Sequence, residues 1–299
     1  MNNKQLFCGI SAPQLTPFNA DGSINYSEYT RLTGYIVKSG VNGIFVCGTT
    51  GEFVNLTIDE RRKLLDAARA GAEPQTHLLY NITALNLTDL KTLAEHAKTH
   101  GATAVSVTPP YYHSYDETAL VRYFITAARI AAPLPLYLYN IPGMAKNTIT
   151  PEAMKKICAA CPNVRGIKDS SMDFMTFLRF QLAAPDEDFE VITGNDAQVL
   201  TALQAGGKGA VVAIASVFPD LCCQISRRFA AGDLQGAREA QSTVLELREL
   251  ARSVMPIMAH KEMLRLQGFE MGPARFPMRD LTQEERERIK QCLQRTKLV

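Results

Sequence analysis

A lysine and a tyrosine, each closing an apolar run, are the residues of this chain best suited to covalent chemistry. Lys168 ends Val164-Arg165-Gly166-Ile167-Lys168, just before the polar stretch Asp169-Ser170-Ser171. Tyr139 ends a second run, Leu134-Pro135-Leu136-Tyr137-Leu138-Tyr139, 29 residues earlier. A lysine at the end of a buried strand is costly unless its ammonium is paired or its amine is neutral. An unprotonated, desolvated lysine amine is also the usual nucleophile for making a Schiff base with a ketone. The two residues therefore read as nucleophile and proton shuttle. The simpler alternatives are a structural ion pair of Lys168 with Asp169 or Glu52, and an ordinary rim aromatic at Tyr139.

Other polar residues fall at comparable points. Gly48-Thr49-Thr50-Gly51-Glu52 offers two hydroxyls and several backbone N–H groups on a tight turn. Small residues let such a backbone approach and cradle an anion. Thr108-Pro109-Pro110-Tyr111-Tyr112-His113 carries two tyrosines on a stiff turn, and Gly194-Asn195-Asp196 follows another apolar run. The Asn195-Asp196 pair serves equally well as a helix N-cap.

These groups need elements to hold them. Short β-rich runs lie near 8–15, 43–47, 77–82, 103–107, 134–139, 164–168, 189–193 and 209–214. Helix-like segments alternate with them at 27–39, 57–71, 88–99, 116–131, 151–160, 171–184 and 196–205. Thr57-Ile58-Asp59-Glu60 is a capping-box pattern, and Thr150-Pro151 puts proline in a first helical turn. Gly40, Gly71 and Gly101 stand where C-cap glycines would. Eight buried-looking strands alternating with helices predict a closed (β/α)8 TIM barrel. A doubly wound sheet is the alternative, but Gln14-Leu15-Thr16-Pro17-Phe18 replaces its glycine-rich first turn. After residue 216 only helical patterns follow, at 218–231, 233–253, 255–267 and 282–296. The expected organisation is a barrel over 1–230 and a C-terminal helical region over 231–299 packed on it. In such a barrel every group above falls at the C-terminal ends of the strands, where active sites form.

Composition narrows the class. The 299 residues are 46% hydrophobic, enough for one large core. No run of about eighteen apolar residues suggests a membrane span. Met1-Asn2-Asn3-Lys4-Gln5 is not the start of a long apolar signal segment. The net charge of +2 is dispersed, which argues against nucleic acid as a partner. Seven cysteines without an export signal predict a reducing, cytoplasmic location. Cys158-Ala159-Ala160-Cys161 has metal half-site spacing, but no second pair completes it, so packing is the expected role. Cys222-Cys223 reads as a buried helix face.

Taken together, Gly48-Thr49-Thr50-Gly51-Glu52, Tyr111-Tyr112, Tyr139-Asn140-Ile141-Pro142 and Gly166-Ile167-Lys168-Asp169-Ser170 resemble the signatures of the dihydrodipicolinate synthase/N-acetylneuraminate lyase family. They occur in that family's order, and the resemblance runs from about residue 8 to the C-terminal helices. It implies a class I aldolase that condenses an active-site lysine with a 2-oxo acid, typically pyruvate, without metal or organic cofactor. It also implies a homotetramer built from tight dimers. By the same resemblance Lys168 matches the Schiff-base lysine and Tyr139 the proton shuttle. Thr49, Thr50 and Gly51 match the turn that holds the pyruvate carboxylate. Tyr112 matches a tyrosine that enters the neighbouring subunit's site and completes a hydroxyl relay with Thr50 and Tyr139. Val211 matches a strand-eight residue beside the lysine, and Gly194 and Asp196 lie on the substrate side.

The chain departs from both subfamilies. Dihydrodipicolinate synthases carry a substrate-binding arginine two residues after the proline, where this chain has Met144 in Pro142-Gly143-Met144. Methionine cannot make arginine's bidentate carboxylate contact. Neuraminate lyases carry a strand-eight hydroxyl, and that position falls on Ala213, although Asp196 matches their acidic position. The expected reaction is reversible aldol cleavage of a shorter 2-keto-3-deoxy sugar acid or 4-hydroxy-2-oxo acid to pyruvate and an aldehyde. Dehydration of a keto-deoxy sugar acid, dihydrodipicolinate synthesis and oxo-acid binding without turnover are the alternatives.

Overall fold

The computed structural model describes residues 5–299, so most of the N-terminal segment weighed above as a signal lies outside the described residues. Four strands open the barrel: β1 Gly9–Pro13, β2 Gly43–Val46, β3 His77–Asn81 and β4 Ala104–Val107. Four more complete it: β5 Leu136–Asn140, β6 Val164–Asp169, β7 Glu190–Thr193 and β8 Gly209–Val211. Each strand pairs in parallel with the next, and β8 closes on β1 through Gly9 opposite Gly209. The chain is a (β/α)8 TIM barrel.

Helices separate the strands: α1 Tyr26–Lys38, α2 Ile58–Gly71, α3 Leu87–Thr99, α4 Glu117–Ala131, α5 Pro142–Ala145, α6 Pro151–Ala160, α7 Phe174–Leu182 and α8 Val199–Gln204. Beyond β8 come α9 Pro219–Ala230, α10 Leu234–Arg252, α11 Pro256–Leu266 and α12 Gln283–Arg295. Among the described residues no helix is long and apolar enough to cross a membrane.

The local signals act as their chemistry dictates. The Thr57 side chain accepts the Glu60 N–H, and Glu60 returns to the Thr57 N–H, which closes the capping box of α2. Such a cap contributes about 1 kcal/mol. Gly40 and Gly101 adopt φ of +85° and +81° behind α1 and α3, as helix-ending glycines do. Gly71 does not. It is the last residue of α2, and a Cβ there would lie 2.3 Å from the Thr30 carbonyl oxygen. Its requirement is the close approach of α2 to α1, a tertiary cause that helix-end patterns do not show.

Strand eight is shorter than the 209–214 expected. After Val211 the chain enters a 3-10 turn over Ala213–Ser216, and the Ile214 N–H goes to the Asp196 carboxylate at 2.8 Å. That bond takes the donor a longer strand would have used in its ladder.

Phe45, Leu79, Ala104, Tyr137, Tyr139, Ile192 and Val211 fill the barrel interior, with Phe7 at its N-terminal end. There Glu190 accepts the Phe7 N–H at 2.7 Å and the Tyr137 hydroxyl, which seals the base with a satisfied buried carboxyl. The outer core is continuous from the barrel helices into α10–α12 through Val244, Leu247, Met258, Leu264, Ile289 and Leu293. Each such side chain contributes about 2 kcal/mol by burial. Gln241 fixes α10 over the C-terminal mouth: its Oε1 accepts the Leu200 N–H at 3.0 Å and its Nε2 donates to the Asp196 carbonyl at 2.8 Å.

All seven cysteines are free thiols. Burial pushes Cys158 up to about 12, so at neutral pH it is a protonated thiol and a poor metal ligand. The Cys161 thiol points to the Ile125 carbonyl, and Cys222 and Cys223 are buried in α9.

Candidate active site

Strand pairing brings the two reactive residues together. Tyr139 of β5 stands directly opposite Lys168 of β6. Both are nearly inaccessible, at 3% and 4% of their full exposure. The Lys168 Nζ lies 4.2 Å from the centre of the Tyr139 ring and 4.8 Å from that of Phe45. Phe45 meets the Tyr139 ring edge-on at 5.7 Å, so the lysine stem stands against a fixed aromatic wall.

The ion-pair alternatives for Lys168 fail. Asp169 is turned away, accepting from Asn140 Nδ2 at 2.8 Å and from the Ser171 hydroxyl at 2.8 Å. Burial raises its pKa and those bonds oppose the rise. Glu52 belongs to a different lysine, Lys261 of α11, whose Nζ lies 2.6 Å from its Oε1 with both side chains fully buried. The contact is an ion pair, and neither the carboxylate oxygens nor the ammonium has a hydrogen-bond partner among the described residues. Burial raises the pKa of Glu52 and lowers that of Lys261, and each partner opposes the other's shift.

Glu52 takes a left-handed conformation, φ +63°, at the end of the Gly48–Glu52 turn. The buried pair therefore ties that turn to the C-terminal helices. Gly51 is required by space, since a Cβ would sit 2.8 Å from the Gln14 carbonyl oxygen, and its own carbonyl accepts the Thr16 hydroxyl at 2.8 Å. Thr49 Oγ1 stands 3.3 Å from the Tyr139 hydroxyl. The hydroxyl that meets Tyr139 is thus Thr49's and not that of Thr50, which the expected relay had used. Thr50 lines the same cavity.

That cavity, about 340 Å3, opens at the C-terminal end of the barrel. Thr49, Thr50, Tyr139, Lys168, Gly194, Asp196 and Val211 all line it, and so do Met144 and Ala213. Gly194 is a steric necessity: a Cβ there would lie 1.9 Å from Ser170 Oγ and 2.8 Å from Lys168 Cε. Asp196 ties the loop after β7 to the turn after β8 through the Ile214 N–H. Its burial raises its pKa and that hydrogen bond opposes the rise. Asn195 caps only the short 3-10 turn Asp196–Gln198 that leads into α8, accepting the Ala197 N–H.

Tyr112 stands apart. It is 76% exposed at φ +81°, a strained value for a side-chain-bearing residue, whereas Tyr111 turns inward against Phe53. Within one chain the structure records no hydrogen bond joining Tyr112 to Thr50 or Tyr139.

The cationic and titratable lining residues that the sequence did not point to are Arg248 and Arg252 of α10 and His260 of α11. Burial pushes the His260 imidazole down to about 4, and its Nδ1 has no hydrogen-bond partner. The i,i+4 spacing of the arginines was visible, but which side of α10 faces the barrel was not.

Comparison with known proteins agrees with this geometry. The family model described as "Dihydrodipicolinate synthetase family" matches residues 6–296. The chain belongs to that family and is a lyase. A 4-hydroxy-tetrahydrodipicolinate synthase of Exiguobacterium is 33% identical, the match covering 91% of this chain and 92% of the relative. A DapA-like lyase of Halobacterium salinarum is 32% identical over 93% of this chain and 90% of its own. Among solved structures, YagE of E. coli K12, crystallised with pyruvate, superposes with a TM-score of 0.93 at 28% identity, covering 98% of this chain and 100% of that one. The wild-type sialic acid aldolase of Ruminococcus gnavus superposes with a TM-score of 0.92 at 26% identity, covering 98% and 99%. Relatives in this family thus divide between synthase and aldolase names, and the family's shared chemistry is class I, pyruvate-dependent lyase chemistry.

Proposed function

We propose that the protein reversibly cleaves a short 2-keto-3-deoxy sugar acid or 4-hydroxy-2-oxo acid to pyruvate and an aldehyde, through a Schiff base on Lys168. The observation that carries this reading is the Lys168 amine, buried beside Tyr139 with no carboxylate partner among the described residues. The amine adds to the C2 ketone, and loss of water leaves an iminium. The iminium draws electrons from the C3–C4 bond once the C4 hydroxyl proton is removed, with Tyr139 as the proton carrier and Thr49 hydrogen-bonded behind it. The bond breaks and the aldehyde departs. The enamine takes a proton at C3, and water then releases pyruvate and restores the amine.

The backbone and hydroxyls of Thr49 and Thr50 suit the carboxylate next to C2. Met144 supports cleavage over dihydrodipicolinate synthesis, because an exposed thioether replaces the arginine that would bind the second substrate. Ala213 likewise lacks the hydroxyl that would hold a neuraminate chain. The pyruvate complex of YagE supports a 2-oxo acid as the common ligand. The outward tyrosine supports a shared site: Tyr112 is available to a neighbouring copy, as a homotetramer built from tight dimers requires.

Incubation with pyruvate, reduction with borohydride and peptide mass mapping test the reading. An adduct on Lys168, absent from Lys168→Ala, is expected. Wild-type protein that stays unmodified, while a known class I aldolase is trapped in parallel, refutes it.

A further inference from the structure

We propose that Arg248 and Arg252 form a second anion-binding position at the mouth of the Lys168 cavity, so that the aldehyde half of the substrate carries its own carboxylate or phosphate. This inference rests on Lys168 being the Schiff-base nucleophile.

Both arginines line the same cavity as Lys168, and they stand one turn apart on one face of α10. The Arg248 side chain is only 12% exposed. Its contacts are the Met172 sulfur at 3.6 Å and the carboxylate of Glu249, the next residue in the chain. Successive helical residues point about 100° apart, and Glu249 is 60% exposed, so Glu249 meets Arg248 from the solvent side. Arg252 makes no ion pair among the described residues. The carboxylate on the cavity wall is Asp196, which is already engaged by the Ile214 N–H.

The mouth therefore holds two guanidiniums beside the Asp196 carboxylate, whose charge acts on Arg248, while Glu249 pairs with Arg248 from the outer side. A mostly buried guanidinium without a full set of acceptors is costly, and an incoming anion offsets that cost. Its planar fork matches carboxylate and phosphate oxygens in pairs, whereas a neutral polyol needs no fixed cation. The Thr49–Thr50 turn lies on β2's loop and the arginines on α10, so a substrate with an anionic group at each end can engage both. Gln241 anchors α10 to Leu200 and to the Asp196 carbonyl, which keeps the pair from drifting. Met144, where synthases have arginine, leaves the anion to these two residues.

Coupling pyruvate to matched aldehydes tests this: glyceraldehyde against glyceraldehyde 3-phosphate, and butanal against succinic semialdehyde. Wild type is expected to favour a charged member by at least about tenfold in kcat/KM, with the two pairs separating phosphate from carboxylate as the group read. In Arg248→Met/Arg252→Met that preference should fall to near unity, about tenfold or more, chiefly through KM, and Arg248→Lys should keep part of it. A preference for the uncharged aldehydes, or an unchanged ratio in the double variant, overturns the proposal.

Calorimetric titration with inorganic phosphate and with succinate decides the case in which no aldehyde is accepted. Binding weakened in the double variant supports the site, and no binding by wild type overturns it. Pyruvate trapping on Lys168 is scored separately, so failure of the nucleophile and failure of the anion position give different results.

Discussion

Substituting Gly194 with alanine tests whether the lysine's position is set by the loop after β7. The Gly194 backbone angles are ones alanine can adopt, so any effect comes from the added methyl group. That carbon would lie 1.9 Å from Ser170 Oγ and 2.8 Å from Lys168 Cε. Ser170 can rotate away. Lys168 cannot do so freely, because the rings of Phe45 and Tyr139 pack against its ammonium end. The loop cannot withdraw either, since the Gly194 N–H is held by the Asp169 carbonyl at 2.7 Å. Carbon atoms in contact settle at about 3.5–4.0 Å, so Cε must retreat by roughly 1 Å. A misplacement of that size costs about a hundredfold in rate. The added carbon should also cost about 1–3 kcal/mol of stability through overpacking. The assay is the rate of pyruvate-dependent borohydride trapping on Lys168, with kcat/KM for cleavage and urea denaturation beside it. Gly194→Ala/Ser170→Gly removes the closer clash but leaves the one with Lys168, and should stay slow. Recovery in that double variant would assign the defect to Ser170. A trapping rate in Gly194→Ala within about threefold of wild type would refute the steric argument altogether.

Two further substitutions probe the walls of the site. Lys261→Met leaves the Glu52 carboxylate buried without its cation and should destabilise the protein by about 3–5 kcal/mol in urea. Glu52→Gln/Lys261→Met should regain at least half of that, and equal losses in both would show that packing rather than charge is at stake. His260 has its pKa lowered by burial from 6.5 to about 4, so between those values the unfolded chain binds a proton that the folded one refuses. Stability should therefore fall as pH drops from 6.5 to about 4, by about 3 kcal/mol in all. His260→Leu should lack this contribution, and parallel pH profiles for variant and wild type would contradict it.

Much of the architecture was legible before any coordinates. Buried parallel strands are apolar along their whole length and the helices between them carry capping residues, so local pattern alone announces the alternation. The expected β3, β4 and β6 agree with the structure to within a residue at either end. Strand eight was overextended because Val212-Ala213-Ile214 is as apolar as the strand before it. Its end is decided by the Asp196 carboxylate, which comes from another strand's loop. Gly71 was misjudged for a related reason, since a glycine that lets two helices touch looks in sequence like one that ends a helix.

For the site, the sequence by itself determined which groups stand at the C-terminal end of the barrel. Residue type and the end of an apolar run suffice to mark Lys168, Tyr139, the Thr49–Thr50 turn and Gly194. What the tertiary structure alone decided is which of them touch. Thr49 rather than Thr50 meets Tyr139, and Glu52 takes Lys261, leaving Lys168 without an anion among the described residues. It also decided that Arg248, Arg252 and His260 close the cavity from helices at the far end of the chain. The physical reason is one of range. Periodicity and capping act over a few residues, whereas side chains more than 200 positions apart meet only when a closed barrel and a packed helix bring them together.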